Sequence, residues 1–340
     1  MKKILLDRNE NNYGPAPACY DVLKKAGQNL FSNYTDAYKR GVKSALSERF
    51  ATDFNISEDR ILLGYGAEDL LKQVVQCYLG PGQKLMIPAY SWWYYKAIAE
   101  EVGGTNVEYP LIKGDDSFYY DIDRMLSLID SEKPRLVFLS SPNNPTGNSI
   151  SADDLEIILS HMKGTIVALD EAYWYDTKNE HVKHLVDTYS NLAVIRTFSK
   201  YYALAGIRIG YAIIGKNLTR LANIANRYLG FNLISEKIAL AALDSPEYYM
   251  QIANKMTADK EHFYRELGNV PGFKVYKSDA NFILVEIPQN IKASLKKYLT
   301  DRGLIIKFMD EEVLNSHLRI TLGTQEQNRM VIDAIKEFSL

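Results

Sequence analysis

The sequence predicts an α/β fold in which a large domain, with a mostly parallel sheet covered by helices on both faces, is joined to a smaller α+β domain. Strand and helix patterns alternate from about Ile61 to Ile214, which is typical of a parallel sheet. After Gly215 the pattern changes to long amphipathic helices followed by three strand candidates, which indicates the smaller domain. The chain has 340 residues and is 46% hydrophobic, so it can bury a core large enough for two domains that share one site.

The predicted domain boundaries follow from these changes in pattern. Residues 1–30 are expected to form an N-terminal arm that joins the small domain, residues 31–230 the large domain, and residues 231–340 the small α+β domain. Helices of the second half are expected at 218–228 and 247–267, and strands at 273–287, 304–308 and 317–322.

Three apolar runs in the first half predict buried strands, and each run ends in a polar turn. Residues 60–63 lead into Gly64–Asp69, residues 135–139 into Ser140–Gly147, and residues 165–169 into Asp170–Tyr173. Because ligands in open α/β sheets bind at the carboxyl ends of the strands, these turns are candidate parts of one site. Glycines ahead of a helix leave its first N–H groups exposed, and such groups bind phosphate.

A fourth segment contains a lysine and an arginine eight residues apart. Lys200 and Arg208 flank a turn of small residues within Ser199–Gly210. A lysine that attacks an aldehyde must be neutral, and apolar neighbours together with Arg208 favour that form. The planar guanidinium can hold a phosphate. Taken alone, the pair is also typical of the solvated rim of a core strand and helix, so the other motifs decide between these interpretations.

A dinucleotide site is a competing interpretation of Gly64-Tyr65-Gly66, and it fails. That fingerprint needs a third glycine three positions after the second, where this chain has Asp69. An anion at that position would repel a pyrophosphate.

Four motifs, GYGAED, SPNNPTG, LDEAY and RTFSKYYALAGIRIG, occur in that order between residues 64 and 210. Each motif is weak alone, and the ordered set is highly specific. With this set the chain resembles the class I and II aminotransferases, fold-type-I enzymes that depend on pyridoxal 5′-phosphate, and among them most the histidinol-phosphate aminotransferases. The resemblance extends from Asn9 to Gly323.

The resemblance implies a set of cofactor contacts that suit the chemistry of the residues. Lys200 would form a Schiff base with the cofactor aldehyde and then move the substrate's proton as general base and acid. Asp170 would keep the ring nitrogen protonated, and Tyr173 would hydrogen-bond the ring hydroxyl. The remaining implied contacts are Asn144 at the ring hydroxyl, Tyr90 stacked on the ring, and Ala67, Glu68, Thr197, Ser199, Arg208 and the partner subunit's Tyr34 at the phosphate.

Substrate contacts are implied at four positions. The resemblance assigns Arg319 to the α-carboxylate, which a bidentate arginine on a strand would fix relative to the ring; a structural salt bridge is the alternative. Lys307 and Arg227 lie beside positions where the family binds a distal phosphate, and Tyr13 would provide an aromatic wall. The alternative for both cations is a surface position.

Two departures from the histidinol-phosphate aminotransferase pattern concern the substrate. The family commonly has arginine at the end of the strand 304–307, where this chain has Lys307, a point charge in place of a planar fork. Asn12 replaces a proline of the arm, which frees the backbone near the acceptor pocket.

The sequence therefore predicts a cytoplasmic, pyridoxal-phosphate-dependent aminotransferase that acts as a homodimer. It would move an amino group between a donor such as glutamate and a small phosphorylated partner, with histidinol phosphate first and serinol phosphate next. A threonine-phosphate or serine-phosphate decarboxylase is the alternative with the same cofactor. A non-catalytic effector-binding module is disfavoured, because every catalytic position carries the expected residue and no helix-turn-helix segment precedes the first motif.

The composition argues against other classes of function. A net charge of −2 does not suggest a surface that binds nucleic acid or an anionic membrane, and no apolar run is long enough to span a bilayer. Two cysteines are too few for a disulfide framework, and the five histidines form no ligand set, so no metal is expected.

Overall fold

A computed structural model describes residues 3–175, 180–226 and 229–339, and this part of the chain contains fourteen strands and thirteen α-helices. The strands are β1 (Ile4–Leu6), β2 (Ile61–Gly64), β3 (Lys84–Pro88), β4 (Thr105–Tyr109), β5 (Leu111–Lys113), β6 (Phe118–Tyr120), β7 (Leu136–Ser140), β8 (Ile166–Asp170), β9 (Leu192–Thr197), β10 (Gly210–Ile214), β11 (Lys274–Tyr276), β12 (Phe282–Glu286), β13 (Leu304–Phe308) and β14 (His317–Thr321). The helices are α1 (Pro17–Lys24), α2 (Asn29–Ser32), α3 (Ala45–Asp53), α4 (Ala67–Tyr78), α5 (Tyr94–Glu100), α6 (Ile122–Glu132), α7 (Ala152–His161), α8 (Glu180–Thr188), α9 (Thr219–Ala225), α10 (Leu233–Leu243), α11 (Pro246–Gly268), α12 (Lys292–Asp301) and α13 (Gln325–Phe338).

The largest element is a seven-stranded sheet with the order β2-β10-β9-β8-β7-β3-β4. Its strands are parallel except β10, which runs antiparallel to both β2 and β9. The predicted mostly parallel sheet is therefore confirmed. Since β7, β8 and β9 are parallel neighbours, the polar turns that follow them meet at one edge of the sheet.

Both faces of this sheet are covered, as the strand sequences require. In β7, Val137 and Leu139 pack into the core on one face, while Leu136 and Phe138 pack into the core on the other. All four side chains are fully buried. Successive residues of a strand point to opposite faces, so a strand buried on both faces needs a continuous apolar run rather than an alternating one.

Local sequence signals fix several helix starts. Ser44 and Ser47 form a capping box at α3, and Thr324 and Gln327 form one at α13. The longest helix, α11, begins with Pro246, whose missing N–H costs nothing in the first turn. In the described ranges no helix is both long and apolar enough to cross a bilayer.

The second sheet has five strands in the order β1-β13-β14-β12-β11. The arm supplies its edge strand, because β1 pairs in parallel with β13. The single strand expected at 273–287 is instead the antiparallel pair β11 and β12, separated by the turn at residues 277–281. In this turn the N–H of Asp279 donates to the carbonyl of Gly147, 2.7 Å away. The turn therefore contacts the loop that follows β7 of the large sheet. The domain boundaries at residues 30 and 230 stay predictions.

The first testable prediction concerns the close approach of β10 to the start of α4. A β-carbon on Gly210 would lie 2.6 Å from the carbonyl carbon of Gly66 and 2.7 Å from the nitrogen of Ala67. Backbone atoms cannot move aside as side chains do, so Gly210→Ala is expected to lower the free energy of unfolding by roughly 1–3 kcal/mol. Urea unfolding measures this. Gly206→Ala is the control, because a β-carbon there meets nothing within 4 Å; equal stability of the two variants would contradict the prediction.

Candidate active site

A cavity of about 450 Å³ lies at the carboxyl edge of the large sheet. The last residues of β7, β8 and β9, which are Ser140, Asp170 and Thr197, contribute to its wall. The arm and the small sheet form the opposite side through residues 7–10 and residues of β13 and β14. The predicted site residues that line the cavity are Ala67, Glu68, Asn144, Asp170, Tyr173, Thr197, Ser199, Lys200, Arg208, Lys307 and Arg319.

Asp170 is the buried acid of the cavity. Its Oδ1 accepts a hydrogen bond from the N–H of Ala172 at 2.9 Å, and its Oδ2 accepts one from the hydroxyl of Tyr95 at 2.6 Å. Burial raises the pKa of Asp170 to about 6, against the lowering effects of these two donors and of Lys200. Such a carboxylate lacks a full counter-charge and suits a cationic N–H group of a ligand.

Lys200 is the amine of the cavity. Its Nζ donates to the backbone carbonyl of Arg8 at 3.0 Å and lies 5.5 Å from the centre of the Tyr173 ring. The arm therefore fixes where this amine sits. A lysine held by a neutral carbonyl, rather than by a carboxylate, is available to react with an electrophile.

The start of α4 forms a cradle for an anion. Gly66 precedes the helix with φ +86° and has no side chain, so among the described residues the first N–H groups of α4 have no side-chain cap. The guanidinium of Arg208 lies directly against this point, since a β-carbon on Gly66 would be 2.6 Å from its Nη2. Arg208 Nη1 also donates to Ser199 Oγ at 3.3 Å, and the Thr197 hydroxyl donates to the same oxygen at 3.0 Å. Two hydroxyls, a guanidinium and a helix N-terminus are the donor set that a phosphate needs.

Glu68 places a carboxylate beside this cradle. Its Oε2 lies 3.7 Å from Arg208 Nη2, and each of the two side chains is nearly half exposed. An ion pair this long and this exposed contributes little to stability. The guanidinium thus keeps its charge available for a stronger anion.

Tyr173 is oriented by a residue of the arm. Asn9 is buried with φ +56°, and its Nδ2 donates to Tyr173 Oη at 2.9 Å. Thr321 holds the other end of the Asn9 amide, because its hydroxyl donates to Asn9 Oδ1 at 3.1 Å. With one lone pair of Oη occupied by the amide, Tyr173 has its own proton to donate.

Arg319 is held from two sides. Nη1 donates to Asn144 Oδ1, Nη2 donates to the carbonyl of Asp7, and both contacts are 2.5 Å. Its buried Nε has no hydrogen-bond partner within the described residues. Because an unpaired buried donor is costly, this guanidinium is set up to receive an anion. Across the small sheet, Lys307 lies directly opposite Arg319 in the β13–β14 register.

Three predicted contacts lie outside this cavity. The carbonyl of Tyr90 accepts from Asn143 Nδ2 at 2.7 Å, and its ring packs edge-on against Phe118, whereas Trp92 and Trp93 line the wall. Tyr13 donates to the buried carboxylate of Asp259 at 2.7 Å and so anchors the arm instead. Tyr34 is exposed, and its contact with the partner's site stays a prediction. Arg227 lies outside the described residues.

Three residues that sequence reasoning missed also meet at the site: Asn9, Tyr95 and Arg8. Asn9 lies in the segment Asn9-Glu10-Asn11, where the resemblance to the family begins, and this position could have indicated a role in the site. Tyr95 sits in an aromatic run that is typical of a core. Arg8 contributes its backbone carbonyl, for which no side-chain pattern exists.

Known proteins share the sequence pattern and the fold of this chain. The sequence family described as aminotransferase class I and II matches residues 1–335. The histidinol-phosphate aminotransferase of Ruminiclostridium cellulolyticum is 31% identical, over 98% of this chain and 92% of its own length. The crystal structure of histidinol-phosphate aminotransferase from Sinorhizobium meliloti in complex with pyridoxal-5′-phosphate matches with a TM-score of 0.86 and 24% identity, over 99% of this chain and 91% of that one. A decarboxylase from Sulfurospirillum multivorans has the same fold, with a TM-score of 0.80 and 21% identity over 100% and 96% of the two chains.

The second testable prediction follows from the ionisation of Asp170. Its pKa is 3.8 in an ordinary environment and about 6 in the folded chain, so the folded state binds more protons between these values. The unfolding free energy of the cofactor-free protein should therefore fall as pH rises from about 4 to 6, by about 3 kcal/mol relative to Asp170→Asn. Urea unfolding of both proteins across this range measures the difference. A difference that does not change with pH would contradict the prediction.

Proposed function

This chain belongs to the class I and II aminotransferases and depends on pyridoxal 5′-phosphate, and we propose that its substrates are an amino acid such as glutamate and a small phosphorylated partner. Histidinol phosphate is the first candidate for the partner, and a smaller phosphorylated amine such as serinol phosphate is the second. The observation that carries the proposal is a pair of cations, Lys307 and Arg319, that face each other across β13 and β14 in the cavity wall.

The cavity fits the cofactor at three points. Arg208, Ser199 and the uncapped start of α4 suit its phosphate, the buried Asp170 carboxylate suits a protonated ring nitrogen, and Lys200 suits its aldehyde. When bound, the cofactor supplies an electron sink that makes the Cα–H bond of the amine substrate acidic. The residues of the chain must then place that bond and move its proton.

The proposed division of labour uses the contacts already described. Lys200 Nζ takes the proton from Cα and returns it, because it is the amine in the cavity that the arm holds in place. Asp170 keeps a proton on the ring nitrogen by stabilising its charged form. Tyr173, whose Oη already accepts from Asn9, donates its own proton to the ring hydroxyl oxygen.

Arg319 is proposed to bind the α-carboxylate of the amino acid. Asn144 and the Asp7 carbonyl fix the plane of its buried guanidinium, whose Nε has no partner in the part of the chain that the structure describes. A fixed, planar donor set orients the carboxylate and therefore the Cα–H bond.

Lys307 is proposed to bind the distal anion of the partner. Two cations directly opposite each other on one face of a sheet repel, and an anion bound at Lys307 relieves this repulsion. Asp310 offsets Lys307 only weakly, since the two charged groups are 3.8 Å apart and both are exposed. Trp92 and Trp93 add an aromatic wall suited to a ring or a carbon chain.

A phosphoamino-acid decarboxylase is the second candidate function. The Sulfurospirillum multivorans decarboxylase shares the fold. If Arg319 held the carboxylate in a different orientation to the ring, the bond that breaks would be the one between Cα and the carboxylate. Assays of amino acids and phosphorylated amines with 2-oxoglutarate, with each half-reaction followed by cofactor absorbance, separate the two. Release of CO₂ without transfer of the amino group would overturn the aminotransferase proposal.

We also propose a cytoplasmic homodimer. Exposed aromatic and aliphatic side chains cluster on α1, α2 and the segment after them, and they are Tyr20, Leu23, Phe31, Tyr34 and Tyr38. A patch of this kind is typical of a subunit interface. Tyr34 is proposed to reach the phosphate in the partner's site.

The third prediction tests Lys200. Lys200→Ala should still bind the cofactor through the phosphate cradle but lose turnover by at least ~10²–10⁴-fold, because it lacks the base. Borohydride reduction followed by peptide mapping should label Lys200 in the natural protein. Lys183→Ala, a surface lysine of α8, is the control and should keep both the label and the activity. A label on any other lysine would show that the assignment is wrong.

The fourth prediction tests Lys307. Lys307→Met should raise KM for the phosphorylated partner by a free energy of about 1–3 kcal/mol, the value of a charged hydrogen bond, and leave the glutamate half-reaction nearly unchanged. Lys307→Arg should retain binding, and the exposed Lys297→Met serves as the charge control. Equal effects on both half-reactions, or none on either, would contradict a phosphate contact.

The fifth prediction tests the shared site. Tyr34→Phe should weaken cofactor binding, and a mixture of Tyr34→Phe with Lys200→Ala should regain some activity if each site uses a tyrosine from the other subunit. Titration of the cofactor and activity assays of the mixed dimers measure this. A fully active monomer in sizing experiments would refute the arrangement.

A further inference from the structure

Tyr95 is a buried phenol that touches the acid of the site. It lies in the first turn of α5, is 1% exposed, and its hydroxyl donates to Asp170 Oδ2 at 2.6 Å. The ring packs edge-on against Phe138, with 5.1 Å between ring centres, so it is held by the core behind it. The donor is therefore fixed in place independently of any ligand.

Few other groups stabilise the charge on Asp170. The N–H of Ala172 donates to its other oxygen, and Lys200 lowers its pKa from a distance. Glu171, next in the chain, opposes ionisation by like-charge repulsion. The Asp170 carboxylate helps to raise the pKa of the neighbouring Tyr120, but the Tyr120 hydroxyl donates to the carbonyl of Ser140. Tyr95 is thus the side-chain donor on this carboxylate among the described residues.

We propose that Tyr95 is a positioning residue for the transfer reaction, holding the Asp170 carboxylate in its ionised form and aimed into the cavity. This rests on the proposed role of Asp170 at the cofactor ring nitrogen. A carboxylate buried without this donor would favour the neutral acid, which cannot stabilise a protonated ring nitrogen. A short hydrogen bond from a rigid phenol also fixes the plane of the carboxylate, which leaves a defined lone pair for the ligand.

A purely structural role makes different predictions. Phenylalanine at position 95 keeps the ring that packs on Phe138 and Trp92 and removes only the hydroxyl. If the ring alone mattered, Tyr95→Phe would leave the ionisation of the site unchanged. If the hydroxyl acts through Asp170, the same variant shifts every property that depends on that charge.

The test compares Tyr95→Phe with Tyr120→Phe, a matched removal of a neighbouring buried hydroxyl. In Tyr95→Phe we expect a roughly 10- to 100-fold lower kcat, with KM for the amino acid within about threefold of the natural value. The pH midpoint of the bound cofactor's absorbance change should move by at least about half a pH unit, in the direction that Asp170→Asn moves it. Tyr120→Phe should change neither property.

A second readout needs no cofactor. In the cofactor-free protein, the loss of stability with rising pH that belongs to Asp170 should extend above pH 6 in Tyr95→Phe, because the carboxyl has lost a donor. Urea unfolding across pH 4 to 8 measures it, and circular dichroism shows that the variant is folded. An unchanged profile, together with an unchanged absorbance midpoint, would overturn the proposal.

Asp170→Asn and the double variant distinguish the role of Tyr95 from the role of Asp170. If Tyr95 acts through Asp170, adding Tyr95→Phe to Asp170→Asn should cause no further loss of kcat. If Asp170→Asn is inactive but Tyr95→Phe behaves like the natural protein, the inference about Tyr95 fails and the role of Asp170 stands. If Asp170→Asn itself retains full activity, the proposed role of Asp170 fails, and the inference fails with it.

Discussion

A carboxylate buried at the end of a central strand is the constraint on which the rest of the site depends. Removing a charge from water is costly unless donors or counter-charges replace the lost hydration. Asp170 receives a backbone N–H from Ala172 and a phenol from Tyr95, and burial still raises its pKa to about 6. The fold therefore accepts a local loss of stability in order to hold an acid where a cationic ligand group can approach it.

The sheet topology turns this single strand end into a site. β8 lies between β7 and β9 in parallel, so the turns after all three strands reach the same edge. β10 returns antiparallel beside β9 and brings Gly210 against the start of α4, next to which the guanidinium of Arg208 lies. The small sheet then closes the other side with Arg319 and Lys307. Each wall of the cavity comes from a segment far away in the sequence.

The sequence was sufficient for the architecture and for the residues that carry motif chemistry. Apolar runs with polar ends located the strands, and the structure brings Lys200, Asp170, Tyr173 and Arg208 into one cavity as expected. The sequence was insufficient where a role depends on packing. Tyr90 and Tyr13 have aromatic rings suited to a ligand, but whether a ring faces the cavity depends on neighbours such as Phe118 and Asp259.

The residues that could not be identified from the sequence contribute to the site through local geometry. Asn9 acts with a left-handed backbone and an amide that bridges Thr321 and Tyr173. Arg8 contributes a carbonyl oxygen, and Tyr95 contributes one hydroxyl at the end of a ring that otherwise packs in the core. Periodicity and motif spacing contain no information about such contacts.

The pairing of β1 with β13 affects how the protein folds during its synthesis on the ribosome. Ile4 pairs with Leu304, so β1 is synthesised 300 residues before the strand that pairs with it. Asn9 likewise cannot hold Tyr173 in place until Thr321 has been synthesised, because Thr321 binds the Asn9 amide and backbone. The large sheet can assemble while translation continues, but the arm must remain unpaired, with an apolar strand exposed, until β13 has been synthesised. A nascent chain that stalls between β10 and β13 would hold a complete large sheet and an unpaired arm, and its cavity would lack the wall that contains Lys307 and Arg319.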